Sequence, residues 1–183
     1  MRITGGDKKG LPLKTRKGEN TRPLTARVKE SLFNILAPIL PGADFYDFFA
    51  GNGGVGIEAL SRGAEKAFFI ENNATCIRII EENIRKCGFQ DRAKIIRRDA
   101  LKFPSEITPD PVKPSIVFMG PPYNTGLCEK MLQLFAETGA FHKNALIIAE
   151  TRKNETMQQQ YGTFRLTRTK TYGDTTLRFY QLE

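Results

Sequence analysis

The sequence predicts an α/β protein of three layers, in which helices cover both faces of a seven-stranded, mostly parallel sheet that is closed by an antiparallel hairpin. Two observations carry this prediction. Between about residues 45 and 149, short apolar runs alternate with amphipathic helical segments, which is typical of a parallel sheet. Two β-rich runs with only a tight turn between them then follow. A chain of 183 residues can bury such a core as one domain.

Each element is predicted from its own pattern. Val28, Leu32 and Ile35 recur at helical spacing, which predicts a helix over 25–37 with Thr25 as its N-cap. The same periodicity predicts helices over 55–62, 74–87 and 127–137. The strands are predicted over 45–49, 66–70, 94–97, 115–119, 145–149, 164–169 and 175–181. The Tyr-Gly-Asp turn before the last strand favours a hairpin.

The basic residues are concentrated towards the ends of the chain. There are 28 Lys and Arg against 20 Asp and Glu, a net charge of +8. The first 30 residues hold nine basic and three acidic residues, whereas residues 31–150 hold 13 and 14. This excess favours an anionic partner such as nucleic acid, and solvated basic ends are the alternative. We expect residues 1–40 to form a basic N-terminal arm and helix, and residues 41–183 to form the main domain.

Several other classes of protein are excluded by the cysteines, the histidine and the apolar runs. The three cysteines form no C-x-x-C pair and His142 is the only histidine, so we expect no disulfide, no metal and no Ser–His catalysis. No apolar stretch suits a signal peptide or a membrane span, so we expect a cytoplasmic protein that does not bind membranes.

A glycine-rich loop is the first candidate binding site. Gly51, Gly53 and Gly56 follow a predicted strand and open a predicted helix, where glycine permits a tight turn and backbone N–H groups are free for a ligand. Glu71 ends the next strand, where its carboxylate can accept hydrogen bonds from both ribose hydroxyls. These features fit NAD and S-adenosylmethionine equally well, and a turn that only packs a helix against a sheet is the structural alternative.

A second block, Gly120-Pro121-Pro122-Tyr123, follows the fourth predicted strand. With the glycine loop, it makes the chain resemble the class I, Rossmann-like methyltransferases that modify amino groups through an (Asp/Asn)-Pro-Pro-(Tyr/Phe) motif. More closely, the chain resembles the bacterial 16S ribosomal RNA guanine-N2 methyltransferase family. The resemblance covers nearly the whole chain and rests on blocks at residues 2–6, 21–34, 47–53, 58–63 and 121–123.

The resemblance implies a donor, a substrate and a set of residues. It implies S-adenosylmethionine as cofactor and 16S rRNA as partner, either as naked RNA or within an assembling small ribosomal subunit. Cofactor binding is implied for Asp47, Ala50, Gly51, Asn52, Gly53, Glu71, Asn72, Asp99 and Ala100. Asp47 and the glycine loop would hold the methionine portion, Glu71 the ribose, and Asp99 with Ala100 the adenine. RNA binding is implied for Arg2, Lys8, Lys9, Lys14, Arg16, Lys17, Arg22 and Arg27, and the arm would also cover part of the cofactor.

The catalytic block departs from the family motif at its first position. Gly120, Pro121, Pro122 and Tyr123 are the implied catalytic residues, but the family has Asp or Asn where Gly120 stands. Loss of one such hydrogen-bond acceptor costs on the order of 10²–10³ in rate. A weakly active or inactive RNA-binding homologue is therefore one alternative. An adenine-N6 methyltransferase acting on DNA or RNA and a dinucleotide-dependent reductase are the others.

Overall fold

One mixed sheet forms the centre of the molecule in the computed structural model, which describes residues 1–16, 24–106, 115–141 and 145–182. Its strands are β1 (Asp44–Phe48), β2 (Lys66–Glu71), β3 (Ala93–Arg97), β4 (Ser115–Met119), β5 (Ala145–Arg152), β6 (Gln160–Tyr161), β7 (Phe164–Tyr172) and β8 (Thr175–Leu182). The α-helices are α1 (Ala26–Leu36), α2 (Gly54–Ser61), α3 (Ala74–Cys87) and α4 (Leu127–Thr138). Lys17, Arg22 and His142 lie outside the described residues.

The strand order confirms the predicted fold class. Within the described ranges the sheet has the order β3-β2-β1-β4-β5-β8-β7-β6, in which β1 to β5 are parallel and β8 is antiparallel to both β5 and β7. It has eight strands and not the predicted seven, because the two-residue β6 pairs with β7. Two residues are too few to give a sequence pattern of their own. The side chain of Thr25 caps α1, as predicted.

The two faces of the sheet are covered by different helices. Phe45 and Phe118 point to the face packed by α1, α2 and α3, whereas Phe48 and Val117 point to the face packed by α4. Every residue of β1 and β4 is buried, as expected for central strands covered on both sides. No helix in the described part of the chain is long and apolar enough to cross a membrane.

The N-terminal segment is docked on the sheet-covering helices. Ile3 and Leu13 are buried in the same cluster as α1. Thr4 donates its backbone N–H and its hydroxyl to Glu58 on α2, and Lys29 on α1 forms a 2.8 Å ion pair with the same carboxylate. Burial opposes ionisation of Glu58, but these hydrogen bonds and the charge of Lys29 outweigh it and hold the pKa of Glu58 below its ordinary value. Removing one partner of such a buried pair costs about 3–5 kcal/mol.

The sheet has a switch point between β1 and β4. The chain runs outward from β1 to β3 and then returns to continue on the other side at β4. Ligands of open α/β sheets bind at the carboxyl ends of the strands at such a point. The predicted loops 51–53 and 120–123 follow β1 and β4, so the fold brings both of them to this crevice.

Candidate active site

The glycine loop after β1 is a tight turn with an open outer face. Gly51 and Gly53 have positive φ angles of 58° and 75°, which glycine adopts without strain. A methyl group placed on Gly51 would have only the carbonyl oxygen of Phe49 within 4 Å, at 3.9 Å, so a ligand can approach this backbone closely. Gly56 serves packing instead, because a Cβ there would lie 2.4 Å from the Phe69 ring.

Glu71 is held rigidly at the mouth of this loop. Its Oε2 accepts the backbone N–H of Gly51 at 2.9 Å, and its Oε1 accepts those of Asn72 and Asn73, also at 2.9 Å. Three charge-assisted bonds fix the carboxylate at the carboxyl end of β2. Glu71 remains half-exposed, and Asn72 is exposed beside it, so the free lone pairs can still reach a ligand.

Asp47 supplies a buried carboxyl group beneath the loop. Only 2% of the residue is exposed, and its Oδ2 accepts the backbone N–H of Gly56 at 2.9 Å. Burial raises the pKa of Asp47 to about 8, and the charges of Glu71 and Glu150 add to this rise. Three carboxyl groups thus converge at the carboxyl ends of β1, β2 and β5. Such a site favours a cationic ligand, because a positive charge would relieve their mutual repulsion.

The remaining predicted cofactor residues lie along the same edge. Oδ1 of Asn52 accepts a hydrogen bond from the N–H of Gly54, and Ala50 is buried under the loop. Asp99 is exposed after β3, where its Oδ1 accepts the N–H of Leu101 at 3.0 Å, and Ala100 is buried. The structure therefore gathers all nine predicted residues at the carboxyl ends of the first three strands.

The second predicted loop lies directly across the crevice from the first. The N–H of Gly120 donates to the carbonyl of Phe48 at 3.3 Å, which ties the end of β4 to the end of β1. Pro121 is buried and Pro122 is exposed. The Tyr123 hydroxyl donates to Oε1 of Glu150 at 2.5 Å. Burial raises the pKa of Tyr123 to about 12, to which the charge of Glu150 contributes, so the phenol stays protonated.

Two residues that contact Tyr123 and could take part in the site were not predicted from the sequence. Glu150 is buried on β5 directly after Ala149, and the Arg152 guanidinium lies 5.4 Å from the centre of the Tyr123 ring. A polar residue directly after an apolar run, at the carboxyl end of a central strand, was the available signal for Glu150. Arg152 carries no comparable signal, because its contact with Tyr123 arises only from the pairing of β4 with β5.

The predicted RNA-binding residues are divided between two ends of the molecule. Lys8 donates its backbone N–H to Ser61 at the last turn of α2, so Lys8 and the exposed Lys9 lie far from the glycine loop that begins this helix. Arg16 instead lies beside Cys76 in the first turn of α3, a helix that begins three residues after Glu71. Arg27 lines an open cavity of about 310 Å³ with Tyr172 and Gly173 at the turn before β8.

The other two described arm residues are already paired. An Arg2 guanidinium nitrogen donates to the carbonyl of Gly10 at 2.8 Å. Lys14 forms an exposed 2.6 Å ion pair with Glu82 on α3. Exposed pairs of this kind contribute about 0–1 kcal/mol, so Lys14 remains available to an anionic partner.

Asn83 joins the arm to the glycine loop. Its side-chain amide donates to the carbonyls of Lys14 and Asn52, both at 3.0 Å, and its Oδ1 accepts the N–H of Lys14 at 2.8 Å. Asn83 is 1% exposed. Its role is not predictable from the sequence, because a single Asn within a helix gives no sign of a partner 31 residues or 69 residues away.

The chain can be compared with known proteins on this basis. Residues 1–181 match the model of the family described as conserved hypothetical protein 95. The chain belongs to this family. Ribosomal RNA small subunit methyltransferase D of Escherichia coli (strain K12) is 34% identical to it over 186 residues, covering 100% of this chain and 90% of that protein. The Bacillus subtilis (strain 168) protein YlbH, a proposed rRNA methyltransferase, is 34% identical over 181 residues, covering 99% of this chain and 98% of that protein.

A solved structure supports the same family assignment. The Escherichia coli protein yhhF, a proposed methyltransferase, has 33% sequence identity and a TM-score of 0.87, covering 100% of this chain and 98% of that chain. These findings confirm the predicted family resemblance and the Rossmann-like methyltransferase fold. The chain is thus a methyltransferase of this family. Within the described residues, no cluster of His, Cys, Asp and Glu is arranged to hold a metal ion.

Proposed function

We propose that this protein transfers a methyl group from S-adenosylmethionine to the exocyclic N2 of a guanine in 16S ribosomal RNA. One observation carries the proposal: an acidic, glycine-lined donor pocket and a Pro-Pro-Tyr loop meet at the switch point, where the N–H of Gly120 donates to the carbonyl of Phe48. The named relatives of the family support ribosomal RNA as the substrate.

The donor pocket fits the charge and shape of S-adenosylmethionine. This donor carries a sulfonium and an ammonium group, and Asp47 with Glu71 offers the opposite charge. The open backbone of Gly51 leaves room for the methionine portion, and the exposed Asp99 at the next strand end suits the adenine amino group. Glu71, fixed by three N–H groups, is positioned for the ribose hydroxyls.

The protein's main task in such a reaction is alignment. A bound sulfonium donor supplies a methyl group with a good leaving group, so holding the acceptor in line with it supplies most of the rate enhancement. The half-exposed Tyr123 ring can stack on a guanine turned out of its helix. Stacking of this kind contributes about 1–3 kcal/mol per base.

The charged rim of the site supports RNA binding. Arg16, Arg27 and Arg152 lie at the carboxyl edge of the sheet, near the loops that hold donor and acceptor. We assign phosphate binding first to these residues and to Lys14. Lys8 and Lys9 would bind phosphate groups only in a substrate that extends to the far end of α2. A partly assembled small subunit is large enough to do so, and its assembly would place the protein in the cytoplasm.

A methyl-transfer assay tests the proposal. Purified protein and tritium-labelled S-adenosylmethionine are incubated with naked 16S rRNA, with small ribosomal subunits that lack the modification, and with duplex DNA. We expect label in rRNA, recovered as N2-methylguanosine. Label in adenine would show the N6 reaction instead. Calorimetric titration with S-adenosylhomocysteine and with NAD provides the control, and binding of NAD alone would contradict a methyltransferase.

A further inference from the structure

Residue 120 and residue 150 occupy matching places on neighbouring strands. Met119 at the end of β4 is in register with Ala149 of β5, so the next residues, Gly120 and Glu150, lie side by side. In parallel strands, residues in register point to the same face of the sheet. Asp47 points to that face as well, because Asp47, Phe118 and Ile148 form one row across β1, β4 and β5.

The Glu150 carboxylate reaches the space that a side chain at residue 120 would use. A Cβ built on Gly120 would lie 3.0 Å from Oε2 of Glu150. The other oxygen, Oε1, accepts the Tyr123 hydroxyl, and the described structure shows no hydrogen bond to Oε2. Glu150 is only 7% exposed, and its Oε2 is an acceptor beside the catalytic loop.

We propose that Glu150 supplies the acceptor that Gly120 lacks: its Oε2 accepts a hydrogen of the guanine N2 amino group and holds this group in line with the methyl donor. The proposal rests on the proposed function and adds a further catalytic residue to it. In the reaction, the N2 lone pair forms the new N–C bond while the C–S bond breaks and its electrons stay on sulfur. N2 then releases one proton, which passes to Glu150 and from there to water.

The ionisation of Glu150 makes this role measurable. Burial raises its pKa to about 7, whereas the Tyr123 hydroxyl lowers it. The neighbouring charged and titratable groups are Asp47 at the end of β1, Arg152 on β5 and Cys128 on α4. Only the ionised carboxylate can take up the proton, so the turnover number should rise with pH through about 7.

The first test compares variants of one position in the labelled-methyl assay on small subunits. Glu150→Ala should lower the turnover number on the order of 10²–10³-fold, a far larger change than in affinity for S-adenosylhomocysteine, to which Glu150 contributes only as one of three converging carboxyl groups. Glu150→Gln keeps an oxygen for Tyr123 but cannot take a proton, so it should lose the rise near neutral pH. Glu129→Gln is the matched control, since Glu129 also accepts a tyrosine hydroxyl, that of Tyr161, away from the site.

The second test moves the hydrogen-bond acceptor from Glu150 on β5 to residue 120 at the end of β4. Gly120→Asp in the Glu150→Ala background should restore at least about a tenth of the lost rate, because the new carboxylate projects from the same edge. Gly120→Asp alone should give no gain, because its Cβ would lie 3.0 Å from both Glu150 Oε2 and the Phe118 ring. Tyr123→Phe tests whether Glu150 acts only by positioning the Tyr123 hydroxyl. If it did, Tyr123→Phe and Glu150→Ala would lower the turnover number equally.

The outcomes separate the two proposals. Full activity of Glu150→Ala, an unchanged pH profile in Glu150→Gln, or an equal gain from Gly120→Asp in both backgrounds would overturn the role of Glu150 alone. An unmodified protein that binds the donor but labels no guanine in any substrate would overturn the proposed function, and the role of Glu150 with it.

Discussion

The donor side and the acceptor side of the site are built in different ways. On the donor side, Asp47, Asn52 and Glu71 each bind backbone N–H groups no more than 20 residues away. On the acceptor side, Tyr123 binds the side chain of Glu150, 27 residues away on another strand. The donor side is therefore fixed by hydrogen bonds from backbone N–H groups, whereas the acceptor loop is held by a contact between two side chains. Variants should consequently affect donor affinity or turnover, but rarely both.

The largest expected effect on the donor side is that of Glu71→Ala. This change removes the acceptor for three backbone N–H groups and the carboxylate that we propose binds the ribose hydroxyls. Hydrogen bonds to charged groups contribute about 1.5–3 kcal/mol each, so we expect affinity for S-adenosylhomocysteine to fall on the order of 100-fold. Calorimetric titration measures it, with Glu82→Ala on the surface of α3 as control. Equal affinity in the two variants would contradict the assignment of Glu71.

The charged rim of the site should contribute more to RNA binding than the basic residues at the far end of α2. Arg16→Ala with Arg27→Ala should weaken binding of a 16S rRNA fragment by about tenfold. Each lost phosphate contact should also reduce the slope of log binding constant against log salt concentration by about 0.7–0.9. Lys8→Ala with Lys9→Ala removes the same charge at the other end and serves as the matched control. Fluorescence anisotropy at several salt concentrations gives both values. A larger loss in the lysine pair would place the RNA at the opposite edge.

Donor affinity should depend on pH through Asp47. Its pKa of about 8 means that the ligand-free protein holds this proton at neutral pH, and a cationic donor must displace it. Affinity should therefore rise by up to about tenfold per pH unit below pH 8 and then level off. The same raised pKa implies that ligand-free protein loses stability as pH rises through about 8. Asp47→Asn should abolish the rise, and a retained rise would assign it to another group.

The smallest expected effect is that of Asn83→Ala. It leaves the carbonyls of Asn52 and Lys14 and the N–H of Lys14 without their partner. Unsatisfied buried groups cost about 1–3 kcal/mol, which thermal unfolding would detect, and the loosened loop should weaken donor binding about threefold. Glu82→Ala removes only the exposed ion pair to the same Lys14 and should change neither value. Unchanged stability of the Asn83 variant would show that the arm is not held there.

The same contrast explains how much of the molecule was predictable from its sequence. The parallel sheet and the donor loop follow from periodicity and from glycines near the strand ends, which are local signals. The pairing of Gly120 with Glu150, and of Asn83 with Asn52, depends on strand register and helix placement. The docking of Lys8 at Ser61 likewise depends on tertiary packing, so charge counting could locate the basic segment but not the edge it occupies.

The central claim is that the methyl group reaches guanine N2 of 16S rRNA. Its most direct test is liquid chromatography with mass spectrometry of 16S rRNA nucleosides, from cells with and without the gene for this protein. We predict that one N2-methylguanosine per 16S rRNA is lost without the gene and returns when it is supplied again. An unchanged N2-methylguanosine content in cells that lack the gene would contradict the claim.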